Sequence, residues 1–278
     1  DQATVINYVL SGTATNLDYL ANPSPVTITI PAGQNSAQLN INVVDDAIVE
    51  GQEILELSAV AVNSVYGINL TNSTASLNIQ DNDVAEILVT APPAAPEGNV
   101  GTSTQTFTFR LTAATAQPFS IPYQTVDGSA IAGEDFVLKT GNLNFNGQAN
   151  EQQTVEIVIN GDTKVEPNEV LNLLLGSLSN NFQNKLSIPV NSSAATIQND
   201  DSGVIRMVVS NGSEDGVNGK IRFEFLNGAT AAQPIVLNYS LAGSALSSGL
   251  DADYTADFPS SITIPAGASF AEITLNVI

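Results

Sequence analysis

Apolar and polar residues alternate along much of this chain. Strict alternation runs through Leu39-Asn40-Ile41-Asn42-Val43, Phe107-Thr108-Phe109-Arg110-Leu111 and Ile221-Arg222-Phe223-Glu224-Phe225. A period of two sends successive side chains to opposite faces, so each run predicts a strand with one buried face. Turn signals such as Pro31-Ala32-Gly33, Asn146-Gly147 and Asn227-Gly228 separate the runs. Leu171 to Leu175 is the most helix-like segment, but Asn172 and the strands on either side make it a buried strand. Capped, leucine-striped helices are missing. About seven short strands per unit is the spacing of an immunoglobulin-like antiparallel β-sandwich, an all-β fold.

The units repeat. Ile28-Thr29-Ile30-Pro31-Ala32-Gly33 recurs letter for letter at Ile262 to Gly267. Three related segments carry Gly12, Gly128 and Gly243, spaced 116 and 115 residues apart. Asp46 and Glu50 recur as Asp162 and Glu166, and Ile79-Gln80-Asp81-Asn82-Asp83 recurs as Ile197-Gln198-Asn199-Asp200-Asp201. Registers that agree this well imply a tandem repeat. The chain is expected to hold a late part of one unit (1–83), a whole unit (84–201) and an early part of a third (202–278), and so to be a piece of something longer. Almost no linker separates Asp83 from Val84 or Asp201 from Ser202, so successive units are expected to stack end to end with little freedom.

Acidic residues gather where strands stop. Asp45, Asp46 and Glu50 follow one alternating run; Asp81 and Asp83 follow the next, at the start of a new unit. Two unit charges about 4 Å apart repel by roughly 4 kcal/mol at an effective dielectric near 20. A hard divalent cation held by oxygen ligands would offset that repulsion.

The overall balance narrows the partners. With 7 basic and 28 acidic residues the net charge is −21, so nucleic acid and anionic membrane surfaces, which call for basic patches, are poor partners. The 43% hydrophobic content marks a globular chain and not an acidic disordered tail. There is no cysteine or histidine, which excludes disulfides, thiolate metal sites and the commonest catalytic bases and nucleophiles. A carboxylate pair alone can hydrolyse glycosides, but Trp is absent and the acidic residues lie at unit junctions, so the chain is expected not to be an enzyme. No apolar run reaches the 18 residues of a membrane span.

The combination of Asp127-Gly128-Ser129-Ala130 with Gly133-Glu134-Asp135-Phe136, of Val43-Val44-Asp45-Asp46 with Glu50 and Glu53, and of Ile79 with Asp83 resembles the Calx-beta repeat family. The resemblance covers essentially the whole chain. It implies tandem seven-stranded sandwiches of Calx-beta type with Ca²⁺ in loops at one end, next to the following domain. Position by position it implies metal ligands at Glu97, at Asp127, at Asp45, Asp46 and Glu50 with their counterparts Asp162 and Glu166, and at Asp81, Asp83, Asp200 and Asp201. Departures from the pattern are plain: Ser11 and Ala242 stand where Asp127 does, Gly161 replaces the first Asp of the pair, and the third unit offers Glu214 without an Asp pair.

Blander readings apply to the other recurring acids. Asp18-Tyr19, Asp135-Phe136 and Asp253-Tyr254 read as structural, the aromatic in the core and the Asp capping a turn. Glu53 and Glu169 read equally as ligands or as surface carboxylates. Two function classes follow. One is a calcium-rigidified stalk in a secreted or cell-surface adhesin-like protein, most simply on a bacterial outer surface, with neighbouring repeats as its partners. The other is an adhesion module that grips a cell-surface protein or glycan.

Overall fold

The computed structural model describes residues 2–20, 27–63, 67–247, 251–255, 258 and 260–278. Among these the regular elements are β-strands and two three-residue 3₁₀ turns, and no helix is long and apolar enough to cross a membrane.

The middle of the chain shows the design in full. One sheet has the order Gln152–Asn160, Thr102–Leu111, Ala85–Thr90 and Leu186–Ser187; the other runs Thr140–Phe145, Phe119–Val126, Glu169–Leu175, Ser192–Gln198 and Ala95–Pro96. Alternate residues of both meet in one core. Phe107, Phe109, Leu111, Ile121, Phe145, Ile157, Ile159, Leu171 and Leu173 are fully buried there. Full burial of one such side chain contributes about 1.5–3 kcal/mol, so the two sheets are held face to face. The expected strand at Leu171 to Leu175 is present, its odd-numbered residues facing inward. Before this unit, Thr27–Ile30, Thr4–Gly12, Glu53–Asn63 and Thr74–Ile79 form one sheet in that order. After it, Ile205–Ser210, Gly219–Phe225 and Phe270–Val277 pair as neighbours, and Ile235–Asn238 pairs with Ser261–Ile264.

The repeated Gly-Thr/Ser-Ala element is a clamp. The Ala14 amide donates to the Ile54 carbonyl at 3.0 Å, and the Ile54 amide donates to Thr13 Oγ1 at 2.8 Å. In the middle unit the Ala130 amide donates to the Val170 carbonyl at 3.1 Å, and the Val170 amide donates to Ser129 Oγ at 2.9 Å. Backbone this close leaves no room for a side chain: a Cβ on Gly12 would sit 2.1 Å from the Ile54 carbonyl oxygen, and one on Gly128 would sit 2.1 Å from that of Val170. The clamp therefore fixes the first turn of the strand that begins at Glu53 or Glu169.

Successive units are joined by more than a short linker. Ile48–Val49 forms a two-residue parallel ladder with Ala114–Thr115 of the middle unit, and the Ala116 amide donates to the Val49 carbonyl at 3.0 Å. Val49 is fully buried in the middle unit's core. The arrangement recurs one repeat later, where Lys164–Val165 pairs in parallel with Thr230–Ala231 and the Ala232 amide donates to the Val165 carbonyl at 3.0 Å. Val165 packs against the core that contains Phe223, Phe225 and Ile264. Each joint is a loop of one unit inserted into the sheet layer of the next.

Gly128→Ala is expected to destabilise the protein by about 1–3 kcal/mol, as overpacking against backbone does. Gly243→Ala, where an added Cβ meets nothing within 4 Å among the described residues, is expected to stay within about 0.5 kcal/mol of the wild type. Denaturant unfolding of the two variants side by side checks the clamp.

Candidate metal centre

The acidic clusters are built from strand ends. In the first unit, Asp45 and Asp46 follow Asn42–Val43, Glu50 follows Ile48–Val49, Glu53 opens Glu53–Asn63, and Asp81 and Asp83 follow Thr74–Ile79. With Asp18 these seven carboxylates line a single cleft of about 230 Å³. They do different work inside it. One oxygen of Asp81 accepts the Glu50 and Gly51 amides at 3.0 and 3.1 Å, and the other accepts the Asp83 amide at 2.8 Å. Asp46 accepts the Ile48 amide at 2.8 Å, and Asp45 accepts the Asn82 side-chain amide at 3.0 Å. These four bonds to backbone and one to a side chain shape the loops. The convergent group is Asp18, Glu50 and Glu53, each offering a carboxylate oxygen within 4.8 Å of the others.

The middle unit repeats this group as Asp135, Glu166 and Glu169. It adds a further one, Glu97, Asp200 and Asp201. The parallel pairing of Ala95–Pro96 with Ile197 and Gln198 brings these last three together. The Glu97 amide donates to the Gln198 carbonyl at 3.1 Å, and the Gly98 amide to Asp200 Oδ1, also at 3.1 Å. Asp162 and Glu166 lie close enough to act on Glu97 electrostatically, so the two groups of this unit adjoin through them. Asp162 also closes its own loop by accepting the Lys164 amide at 2.7 Å.

The electrostatics follow from crowding. Burial and then the charges of Asp18, Glu53 and Asp46 push the Glu50 carboxyl up to about 7. Glu53 rises to about 7, from burial and from Asp18 and Asp81. Glu97 rises to about 7 through burial and through Asp162, Glu166, Asp201 and Asp200. Burial also raises Glu169, with Asp135 adding to it. Asp18 moves the other way. Burial, the largest single effect, would raise it, but hydrogen bonds from the Thr15 amide and hydroxyl, at 2.5 and 2.8 Å, together with those shared with Glu53 and Glu50 hold it low.

A hard divalent cation fits these groups. Their donors are all carboxylate oxygens, the set such ions prefer. Three of their buried oxygens, Glu53 Oε2, Glu166 Oε1 and Asp201 Oδ2, have no hydrogen-bond partner among the described residues, and of these only Glu166 Oε1 has an ion-pair partner, Lys164. Among the described residues no lysine or arginine forms an ion pair with Asp18, Glu50 or Glu53. A buried unpartnered carboxylate oxygen is costly, and a cation relieves that cost directly.

The sequence-based ligand set and the observed groups overlap without coinciding. Glu50, Glu97, Glu166, Asp200 and Asp201 fall in convergent groups, while Asp45, Asp46, Asp83 and Asp162 line the same sites from their loops. Asp81 is a loop clip whose counterpart Asn199 does the same job, its Oδ1 facing the Glu166 and Asp201 amides at 3.5 and 3.4 Å. Asp127 belongs to none of the three groups; its Oδ1 accepts the Ala132 amide at 3.0 Å and closes a turn. Glu214 is exposed and also lies outside them.

Asp18 and Asp135 carry the structural role expected of them and also stand in the acidic groups. Both do cap, Asp135 by accepting the Ile131 amide at 2.6 Å, and the aromatics Tyr19 and Phe136 are buried as expected. Both also aim a carboxylate oxygen into an acidic group. The signal was their recurrence 117 residues apart, beside the 116-residue recurrence of Glu53 and Glu169. Those two glutamates, left open between ligand and surface, face the groups.

The Calx-beta domain model matches residues 2–83 and 93–201. Among solved structures, the apo form of the Calx CBD1 domain is 22% identical over 43% of this chain and 100% of its own, with a TM-score of 0.34. CBD12 from CALX1.2 is 15% identical over 71% of this chain and 88% of its own, TM-score 0.32. The calcium binding domain CBD12 of CALX1.1 is 13% identical over 70% and 87%, TM-score 0.32. No curated protein matches the chain. With its family model spanning most of the sequence, the chain belongs to the Calx-beta domain family.

Proposed function

We propose that these units, divided at 1–83, 84–201 and 202–278, form a non-catalytic stalk in which bound calcium stiffens the joints, as part of a secreted or surface-anchored adhesin-like protein of a bacterium. The observation that carries this reading is where the carboxylates converge. Glu50 follows directly on Val49, which is buried in the next unit's core, so the acidic group and the joint share one loop. Whatever settles the charge of that group also settles how firmly the loop is seated.

Asp18, Glu50 and Glu53 would hold an ion in the first unit, and Glu97, Asp200 and Asp201 in the middle one, with Asp45, Asp46, Asp83 and Asp162 supplying further oxygens. The ion supplies positive charge among oxygens that otherwise repel. Asp81 and Asn199 orient the loops by holding their amides, and the Gly-Thr/Ser-Ala clamp holds the strand that presents Glu53 or Glu169. Family membership supports the choice of calcium, as does a net charge of −21, which draws divalent cations to the surface.

Melting the chain in EDTA and in 10 mM Ca²⁺ tests the reading. A site with a Kd of about 10⁻⁴ to 10⁻³ M, usual for extracellular modules, adds about 1.4–2.7 kcal/mol at that concentration. The midpoint is therefore expected to rise by several degrees, and an unmoved midpoint rejects the reading. Glu50→Gln combined with Glu53→Gln is expected to shrink the calcium-induced rise while raising the midpoint in EDTA, because two repelling charges are gone.

The pH dependence in EDTA has a definite sign. Glu50, Glu53 and Glu97 titrate near 7 when folded, above the 4.5 of a free glutamate. The folded state therefore binds more protons between those values, and stability is fully present below pH 4.5 and lost as pH rises through 7. Lowering pH from 7.5 to 5 is expected to raise the metal-free midpoint by about 5 °C or more. In saturating calcium the same acidification is expected to give a smaller rise or a fall, since protons then compete with the ion. Differential scanning calorimetry across that range reads both.

A further inference from the structure

The two joints share a backbone arrangement and carry opposite chemistry at one position of the loop. The Ile48 amide donates to Asp46 Oδ1 at 2.8 Å, and the Lys164 amide donates to Asp162 Oδ1 at 2.7 Å. Ile48 sits opposite Ala114 in its parallel ladder, as Lys164 sits opposite Thr230. Both residues are followed by the valine that enters the next core. Residues 48 and 164 are thus the same position of the same loop, next to the same three-carboxylate group.

Their chemistry is opposite. Beside Ile48, the Asp18, Glu50 and Glu53 carboxylates have no basic partner among the described residues. At the equivalent place in the middle unit, Lys164 Nζ lies 2.6 Å from Glu166 Oε1 and 3.9 Å from Glu134 Oε2. The Glu166 side chain it touches is only 3% exposed. An ammonium carries donors and no acceptor, so at this spot it does for Glu166 what a metal ion would do. It also lowers the net charge offered by Asp135, Glu166 and Glu169, and charge count is a main determinant of calcium affinity.

We propose that Lys164 is a built-in counter-cation that stands in for calcium at the Asp135, Glu166 and Glu169 group, so that the joint between the middle and third units closes without added metal while the joint between the first and middle units requires it. This rests on the reading of the Asp18, Glu50 and Glu53 group as a calcium site. A run of such repeats then alternates between metal-dependent and metal-independent joints according to one residue per unit. When calcium falls, the chain loosens at chosen joints and keeps the others.

Calorimetric titration of the whole chain with Ca²⁺, paired with melts in EDTA and in calcium, tests the assignment. Lys164→Met keeps the apolar stem and removes the charge, and Lys164→Ile copies the first joint. Both are expected to bind one more calcium equivalent than the wild type, and to melt lower than it in EDTA but not in calcium. Ile48→Lys is expected to lose one equivalent and to melt higher than the wild type in EDTA. It adds a charge without opening a cavity, so it carries the test if the lysine variants do not fold. Titrations of the Lys164 variants that match a calcium-binding wild type overturn the role of Lys164, and the first site stands if Ile48→Lys still loses one equivalent. A wild type that takes up no calcium while Lys164→Met does sinks the reading of the first site and upholds the counter-cation. No uptake by any of them overturns both.

Discussion

One buried valine sets the terms for everything at the unit ends. Val49 leaves its own sandwich, pairs its backbone with Thr115 and fills space in the next unit's core. Burying it contributes about 1.5–3 kcal/mol, and only if the loop that carries it is pressed against the neighbouring unit. The same loop carries Asp46 on one side of the valine and Glu50 on the other. Apolar attraction thus draws the loop in while the charges beside it resist being gathered, and the joint sits where these two effects meet.

That conflict explains why so many of the acids here are engaged by backbone amides. Asp81 accepts three amides, Asp46 one and Asp18 another, each bond fixing a loop that the charges would otherwise splay. A hydrogen bond to a charged acceptor contributes about 1.5–3 kcal/mol, comparable to a single like-charge repulsion at this dielectric. The clipping position tolerates loss of charge, as Asn199 shows. Glu53 and Glu166 are different: Glu53 Oε2 and Glu166 Oε1 are buried and, among the described residues, receive no backbone amide. Acids that hold the loops and acids that face into the cluster are separate sets.

Much of this was legible in the chain. Period-two alternation gives the strands over 107–111 and 221–225, whereas of residues 39–43 only the exposed pair Asn42–Val43 is strand; the repeat spacing gives the equivalence of loops, and carboxylates at strand ends give the location of the acidic groups. Three things were not. Asp18 and Asp135 look like turn caps because they are turn caps; that a second oxygen points into a cluster depends on the strand across the loop, which local sequence does not specify. Asp127 matches a motif letter for letter, and nothing in that match announces that its Oδ1 accepts the Ala132 amide five residues on. The joint ladder was hidden because two residues are too short to show a period, and because parallel pairing between units leaves no hairpin turn between the partners to announce it.

A two-residue parallel ladder is among the weakest elements a sheet can contain, since parallel pairing is slightly less stable per residue than antiparallel and short ladders lack cooperativity. The long antiparallel strands inside each unit do not share that weakness: Thr102–Leu111 alone pairs with Gln152–Asn160 over nine residues. Stability is therefore distributed unevenly, high within the sandwiches and marginal between them. A change of a few kcal/mol in the charge balance beside the ladder leaves the sandwiches folded and still decides whether the ladder and its valine stay docked. The acidic groups lie where such a small term has the greatest mechanical effect, which is at the ends of the units and not in their cores.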